Sequence, residues 1–371
     1  MKTINLSKKP RNFVPQAVVL EASYQNLLYA NTVASLVIVA PSLQELTIEW
    51  SGTFVVGGWM ASLTHLRIAS FMADSLLVRP GMASLGRLRE LRFRSVESPL
   101  TIDGRRIFPA RLEALRLDQC NLTELPEELT KLSGLTDLVL SNNPLARNND
   151  LECLRNLKKL KQLTLMGTGL TNLPLALSAL TELKVLYLDG VACTSPQNFQ
   201  LPDRVELFDV LMPLRNLGIL SLGFTQLREF PNVVESLTGL RALYLDNNPG
   251  LEFLPNGPYL RSLMVLGIDW KVLFSSYTVL AHAELLEKLC VTFMGGLAEE
   301  TEDELENRSH AVITTLLRLP RLKRVMFPMS EHANIAIKRV QLQVALRLAQ
   351  CNRLHVEAVT YAGISNEWIE W

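Results

Sequence analysis

The chain contains few residues whose type and spacing could support catalysis. Its five histidines and five cysteines are spread over 371 residues, and no two cysteines have the CxxC spacing of a zinc or redox site. The histidines fall on separate segments, so none is placed to activate a cysteine thiol. The GxxxxGK[ST], HExxH, GxSxG and GxGxxG motifs are absent from the sequence. We therefore expect that the protein is not an enzyme and uses no metal and no other cofactor.

Arginine, in contrast, is concentrated in one stretch of the chain. Residues 87–116 contain eight arginines and no lysine, against four acidic residues. The planar guanidinium group can bind a carboxylate or a phosphate through two parallel hydrogen bonds, which a lysine ammonium cannot do. The stretch is therefore a candidate anion-binding surface. A solvated strand face balanced by Glu45, Glu49 and Glu90 would explain the same residues.

A repeating leucine pattern determines where these arginines must lie. Residues 112–122 and 135–145 both read LxxLxLxx(N/C)xL, and most repeats of the pattern begin 23 to 25 residues apart. Alternate residues of a strand point to opposite sides, so Leu138 and Leu140 are predicted to face inward and Val139 outward. One such unit cannot bury its own leucines, and successive units must therefore stack. The other repeats begin at Leu43, Leu63, Leu88, Leu160, Leu183, Leu217, Leu240, Leu263, Leu286, Leu322 and Cys351.

The pattern resembles that of the leucine-rich-repeat superfamily over residues 43–359. The resemblance implies an α/β solenoid, curved like a horseshoe and built from about thirteen repeats. Its parallel β-sheet would line the concave face, and helices and turns would form the convex face. Leu-Pro steps such as Leu125-Pro126 are similar to those of intracellular plant-type and Ras-group repeats, and residues 251–260 are similar to green algal repeat proteins. Asn143 and Asn248 are suited to bind the backbone where the chain leaves each strand.

The outward strand positions form columns on the predicted concave face, since neighbouring strands lie about 5 Å apart. These positions are basic in the N-terminal part and aromatic or acidic further along. Exposed aromatic side chains on a rigid sheet favour protein binding, although they could instead only cover the edges of the repeats. The predicted partner-binding residues are His65, Arg67, Arg92, Arg94, Arg116, Tyr187, Asp189, Phe224, Tyr244, Asp246, Asp269 and Trp270.

The breaks in the pattern predict the domain organisation. We expect an N-terminal cap in residues 1–42, a C-terminal cap in residues 360–371, and longer convex segments near residues 189–213 and 294–321. The second segment contains the acidic run Glu299–Glu306, which is either a solvated loop or helix start, or an acidic docking segment. The apolar spacing of residues 330–350 predicts an amphipathic helix with Leu342 and Leu346 facing a core.

Charge and targeting signals restrict the environment of the protein. The 37 basic residues equal the 37 acidic ones, which argues against nucleic acid binding through an overall basic field. The first residues lack the apolar run of a secretory signal, and no apolar stretch is long enough to span a membrane. An odd number of cysteines does not predict a disulfide framework. We therefore expect a reduced, cytoplasmic monomer that does not bind membranes.

Together, these features favour a non-enzymatic scaffold that binds another protein on its concave face. One alternative is the substrate-recognition part of a ubiquitin-ligase adaptor of the F-box type. Residues 1–42 are too short for an F-box, so that function would require a further N-terminal segment. Another alternative is a phosphate or RNA binder that uses the arginines, whose affinity would fall steeply with salt.

Overall fold

The chain folds into two compact units, unit 1 with residues 1–183 and unit 2 with residues 184–371. Most of the predicted caps and most of the first longer segment lie outside the described residues. The computed structural model describes residues 3–5, 19–24, 43–102, 107–145, 151–170, 173–190, 210–292, 302–329 and 335–360.

Unit 1 is built on a parallel β-sheet whose strands follow the order of the chain, except that β6 pairs with β4 away from this path. Short 3-10 helices at Gly58–Ser62, Glu127–Lys131, Glu152–Asn156 and Leu175–Ala179 lie between strands. The strands are β1 (Thr3–Asn5), β2 (Val19–Tyr24), β3 (Glu45–Val56), β4 (Ile68–Val78), β5 (Glu90–Ser95), β6 (Thr101–Ile102), β7 (Ala114–Leu117), β8 (Asp137–Val139) and β9 (Gln162–Thr164).

The leucines of the repeat form the core of unit 1. Leu91, Leu115, Leu138 and Leu163 lie in register on successive strands and are fully buried. The burial of each leucine side chain contributes roughly 1.5–3 kcal/mol. Strands β7, β8 and β9 are short because the pattern alternates over only a few residues before the chain turns towards a 3-10 helix. The predicted parallel sheet of leucine-rich repeats is thus confirmed.

The phases of two predicted repeats are wrong. In the last repeat Val325 pairs with Val356, so Cys351 lies two residues before the position that corresponds to Leu322.

The other is the repeat predicted to begin at Leu63. Ala69 pairs with Leu91, so Leu66 and not Leu63 occupies the position of Leu88 in the next repeat. Leu63 is also buried, but it directly follows the 3-10 helix Gly58–Ser62 and precedes the strand. The leucine spacing of three residues therefore occurs twice in succession in this part of the sequence. Backbone N–H groups at the start of β4 donate hydrogen bonds to the carbonyl oxygen of Gln44, and these bonds place the strand in the later of the two phases.

Asparagine side chains stabilise the turns that follow the strands, as predicted. Asn143 Oδ1 accepts hydrogen bonds from the backbone N–H groups of Cys120 and Leu122, both at 3.0 Å. Its Nδ2 donates to the carbonyl oxygens of Leu117 and Leu140. Asn248 forms the equivalent set of hydrogen bonds in unit 2. Each amide therefore ties its own turn to the preceding repeat.

Unit 2 contains a second run of parallel strands in chain order, with helices between several of them. The strands are β10 (Val185–Tyr187), β11 (Ile219–Ser221), β12 (Ala242–Tyr244), β13 (Val265–Asp269), β14 (Lys288–Thr292), β15 (Arg324–Met329) and β16 (His355–Thr360). The helices are α1 (Val233–Ser236), α2 (Trp270–Leu280), α3 (Glu302–Arg318) and α4 (Ile335–Ala349), with a 3-10 helix at Pro258–Arg261.

Helices α3 and α4 correspond to the predicted longer segment and the predicted amphipathic helix. The acidic run overlaps the start of α3, whose first residue is Glu302, and its residues 299–301 lie outside the described part of the chain. The expected inward face of α4 is wrong, since Leu342 and Leu346 are 49% and 56% exposed. Val344 and Leu348 are buried instead. Apolar residues alternate along this helix, so the sequence does not single out one of its faces.

Candidate functional site

Three arginines occupy neighbouring positions on the open face of the unit 1 sheet, the face opposite the leucine core. Arg92 on β5 pairs with Arg116 on β7, and Arg94 lies two residues beyond Arg92 on the same side of β5. Glu90 Oε1 contacts both Arg92 Nε at 2.7 Å and Arg116 Nε at 3.4 Å. The two arginine side chains are 46% and 47% exposed, which leaves much of each guanidinium group open to solvent. We call Arg92, Arg94 and Arg116 the arginine group.

A second carboxylate, that of Asp118, lies beside the arginine group. Asp118 Oδ1 accepts a hydrogen bond from Asn142 Nδ2 at 3.3 Å. Burial raises the pKa of the Asp118 carboxyl, while the bond from Asn142 and the charges of Arg94 and Arg116 act in the opposite direction. Two carboxylates therefore lie close to three guanidinium groups, and the local charge remains positive.

His65 and Arg67 do not extend the arginine group. His65 lies in the turn before β4 and Arg67 just before the first residue of that strand, so neither occupies an outward strand position. The β4 residues that pair with Arg92 and Arg94 are Ser70 and Met72. The predicted placement of His65 and Arg67 was wrong because it followed the repeat phase from Leu63. The two β4 positions that pair with Arg92 and Arg94 are thus uncharged.

The two predicted tyrosines lie against the sheet of unit 2 and do not project from it. Tyr187 is only 6% exposed, and burial raises the pKa of its hydroxyl to about 12. Tyr244 is half-buried, and its ring contacts Gly267 on the neighbouring strand. The expectation of exposed tyrosine anchors is therefore wrong, because Ser221 and Gly267 leave room beside the rings. Phe224, by contrast, is 39% exposed.

Three aspartates, which we call the acidic group, lie at or just beyond the carboxyl ends of β10, β12 and β13. Asp189 Oδ1 accepts hydrogen bonds from Ser221 Oγ at 2.6 Å and from Gly223 N at 3.0 Å. Asp269, which is buried, accepts hydrogen bonds from the backbone N–H groups of Asn247 and Asn248 and from Thr292 Oγ1. Asp189 and Asp269 therefore stabilise the turns of unit 2, a role that the sequence analysis did not assign to them.

Asp246, the third member of the acidic group, carries a carboxyl whose pKa is strongly raised. It is half-buried, and its Oδ2 accepts a hydrogen bond from Asn247 Nδ2 at 2.8 Å. Burial and, to a smaller extent, the negative charges of Asp189 and Asp269 raise the pKa of Asp246 to about 7. Asp246 is therefore partly protonated at neutral pH.

Trp270 is a core residue, so its predicted place on the binding face is wrong. It is 1% exposed and stacks on Phe327 with ring centroids 5.1 Å apart. The alternation of β13 ends at Asp269, and helix α2 begins with Trp270 and turns the side chain inward. The outward position was predicted for Trp270 because the sequence pattern extends the strand by one residue beyond the end of β13.

The described residues offer little to catalysis or metal binding. No group of three or more His, Cys, Asp or Glu side chains among them is arranged to hold a metal ion. Burial raises the pKa of the Cys120 thiol to about 12, and burial raises that of Cys290 as well, assisted by Asp246 and Asp269. Both thiols therefore remain protonated and are poor nucleophiles. In the described part of the chain, no helix combines the length and apolarity that a membrane span requires.

Comparison with solved structures identifies the fold. A leucine-rich-repeat protein of Leptospira interrogans aligns with 91% of this chain and 83% of its own, with a TM-score of 0.53 and 19% sequence identity. The chain has the leucine-rich-repeat fold. No protein-family model matches its sequence.

Two curated proteins match parts of the leucine-rich-repeat chain in sequence. A probable serine/threonine-protein kinase of Dictyostelium discoideum, pats1, is 32% identical over 155 residues, or 41% of this chain. The volume-regulated anion channel subunit LRRC8E of Xenopus tropicalis is 23% identical over 218 residues, or 58% of this chain. The matched segments span only 5% and 23% of the length of these two relatives.

Proposed function

We propose that the protein is a non-enzymatic scaffold that binds another protein through the open face of its leucine-rich-repeat sheet. The arginine group of unit 1 carries this proposal. Arg92 and Arg116 are directly paired on β5 and β7, each is about half exposed, and a single carboxylate, Glu90, contacts both. Exposed arginines on a rigid sheet suit the bidentate capture of carboxylates, so the partner presents an acidic segment to this face.

Charge reversal at the paired arginines tests this function. A partner is captured from a lysate of the source organism, identified by mass spectrometry and purified, and its affinity is then measured. We expect the Arg92→Glu and Arg116→Glu double variant to bind the partner at least about tenfold more weakly, which corresponds to about 1.4 kcal/mol. The matched control reverses Lys158 and Lys159, two exposed lysines on the turn before β9, and should bind normally.

Two results would contradict the proposal. Equal affinity of the arginine double variant and the lysine control would exclude the arginine group as the binding site. Binding that survives only with RNA present, and that falls steeply with salt, would show a phosphate-binding role instead. Nuclease treatment of the lysate before capture distinguishes a protein partner from bound RNA.

We also propose, from the same fold, a more specific class of leucine-rich repeat and a cellular location for the protein. Pro126 and Pro174 have nearly the same backbone angles, φ of −60° and −62° with ψ of 131°, and each precedes a 3-10 helix. This repeated Leu-Pro turn supports repeats of the plant-type or Ras-group kind. The thiols of Cys120, Cys290 and Cys351 are free, which supports a cytoplasmic location.

A further inference from the structure

Glu90 determines which part of the arginine group is open to a ligand. Its Oε1 atom contacts Arg92 Nε at 2.7 Å and Arg116 Nε at 3.4 Å, so one oxygen holds two guanidinium groups close together. The side chain of Glu90 is only 19% exposed, whereas those of the two arginines are about half exposed. The carboxylate is therefore largely covered, while the guanidinium groups remain open to solvent.

The terminal nitrogens of the arginine group are free donors. The contacts with Glu90 use the Nε atoms of Arg92 and Arg116, and a guanidinium group has further N–H donors on Nη1 and Nη2. Among the described residues, the Nη1 and Nη2 atoms of Arg92, Arg94 and Arg116 have no hydrogen-bond acceptor. These donors are therefore available to an anion that approaches the open face.

Arg94 adds a third guanidinium group to the same patch of the sheet. It lies two residues beyond Arg92 on the same side of β5, and its charge acts on the Asp118 carboxyl together with that of Arg116. The guanidinium groups of two adjacent strands can therefore contact one ligand from different directions.

The flanking strand positions leave the patch accessible. Arg92 pairs with Ser70 on β4, and Arg116 pairs with Val139 on β8. Both side chains are much shorter than arginine, so they do not reach over the guanidinium groups. A ligand can therefore approach Arg92 and Arg116 from the open side of the sheet.

The number and direction of these donors favour a phosphate monoester over a carboxylate. The three free oxygens of a monoester can accept hydrogen bonds from all three guanidinium groups, whereas a carboxylate has two oxygens in one plane. The three arginines outnumber the nearby carboxylates of Glu90 and Asp118, so the local potential is positive. That potential acts on nearly two negative charges of a monoester at neutral pH, but on only one charge of a carboxylate.

We propose that the arginine group binds a phosphorylated side chain of the partner protein, and that Glu90 is the positioning residue that holds Arg92 and Arg116. This inference rests on the proposed scaffold function and names the anion that the acidic segment of the partner presents. Each phosphodiester of RNA has one charge and two free oxygens, so the same geometry favours a phosphorylated protein over nucleic acid.

The probe for this site is N-acetyl-phosphoserine amide, with N-acetyl-glutamate amide as the carboxylate control and dimethyl phosphate as the diester control. Titrations of the full chain at pH 7.5 and constant ionic strength are followed by NMR through the backbone amide and Nε–H signals of Arg92, Arg94 and Arg116. We expect saturable shifts with the phosphoserine compound. Its affinity should exceed that of either control at least about tenfold, because the second charge doubles the electrostatic attraction.

Matched variants locate the site. The Arg92→Gln and Arg116→Gln double variant should bind the phosphoserine compound at least about tenfold more weakly, with an unchanged urea midpoint. Arg111→Gln removes an exposed arginine of the same stretch of sequence, in the turn before β7, and should leave binding unchanged.

Glu90→Gln and Glu90→Ala test the positioning role at equal charge. Both variants remove the negative charge, but only glutamine keeps an oxygen that can accept from the Nε–H groups of Arg92 and Arg116. Glu90→Gln should therefore bind the phosphoserine compound at least about threefold more tightly than Glu90→Ala, as for one hydrogen bond. Equal affinities of the two variants would overturn the positioning role of Glu90.

Three results would overturn the phosphorylated ligand: no saturable shifts with the phosphoserine compound, equal or tighter binding of the glutamate compound, or an unchanged affinity of the arginine double variant. Equal or tighter binding of dimethyl phosphate would indicate a nucleic acid ligand instead.

The captured partner separates this ligand from the scaffold function itself. Phosphatase treatment of the partner should weaken its binding at least about tenfold. A partner that depends on Arg92 and Arg116 but binds equally well after phosphatase treatment would support the scaffold function and overturn the phosphorylated ligand.

Discussion

The ring of Tyr244 lies against Gly267 across the neighbouring strands β12 and β13. A β-carbon at residue 267 would be 2.8 Å from Cδ1 of Tyr244 and 3.0 Å from Asp246 Oδ1, both closer than ordinary contact allows. The missing side chain of Gly267 therefore leaves room for the ring of Tyr244 next to Asp246 of the acidic group. A small residue on one strand thus determines the orientation of an aromatic residue on the next.

Gly267→Ala should displace the Tyr244 ring and destabilise unit 2. An added methyl group in a packed site costs roughly 1–3 kcal/mol, which urea unfolding would detect. Nitration of tyrosines, mapped by mass spectrometry, should modify Tyr244 faster in the variant. Gly239→Ala is the matched control, because a β-carbon there meets its nearest neighbour at an ordinary 3.7 Å. Unchanged nitration of Tyr244 in Gly267→Ala would show that the ring does not depend on this contact.

The stability of unit 2 should increase as the pH falls from 8 towards 5. The pKa of Asp246 is raised to about 7 in the folded chain, from an ordinary value of 3.8, so protonation favours the folded state. Asp189 and Asp269 contribute in the same direction, since burial raises their pKa values too. Urea unfolding between pH 5 and pH 9 measures the effect.

Asp246→Asn is the control for this pH dependence. The variant cannot ionise at residue 246 and should be more stable than the natural protein at pH 8, with a smaller change between pH 8 and pH 5. An unchanged slope in the variant would assign the pH dependence to other groups. A fall in stability on acidification over this range would contradict the predicted sign.

The leucine pattern predicts the core well because burial and strand alternation act on the same residues. Leu115 and Leu138 are buried and in register, and Asn143 binds the turn, as their positions in the repeat require. One exception, at Leu63, arises where a leucine at the end of a 3-10 helix supplies the same spacing a second time. Local periodicity alone cannot decide between two phases that both bury their leucines.

The candidate site was harder to predict because it depends on neighbours that are distant in sequence. The exposure of Tyr187 and Tyr244 is set by Ser221 and Gly267 on the adjacent strands, and these residues become visible only when the strands are aligned. Trp270 was misplaced because the strand pattern carries no signal that a helix begins there. Arg92 and Arg116 were correctly placed side by side, since their positions follow directly from the repeat.

Removal of the Asn143 amide should destabilise unit 1 more than removal of the exposed amide beside it. In Asn143→Ala, the buried backbone N–H groups of Cys120 and Leu122 lose their acceptor, and each orphaned group costs about 1–3 kcal/mol. Asn142→Gly preserves the left-handed turn, where φ is +58°, and should change the unfolding free energy by less than about 1 kcal/mol. Similar losses for both variants would mean that the turn conformation, and not the buried hydrogen bonds, limits stability.

The arginine group should contribute little to folding, which is what a binding role requires. Arg92 and Arg116 contact Glu90, and both arginine side chains are exposed to solvent. An exposed ion pair contributes about 0–1 kcal/mol to the free energy of unfolding. Arg92→Gln and Arg116→Gln should therefore leave the urea midpoint nearly unchanged. Leu138→Ala, in the core beneath the same sheet, should lose roughly 2–5 kcal/mol and shows that the assay can report a defect in unit 1. A loss above about 2 kcal/mol in either arginine variant would mean that Arg92 and Arg116 hold the sheet together, and the case for a partner on this face would then lose its main support.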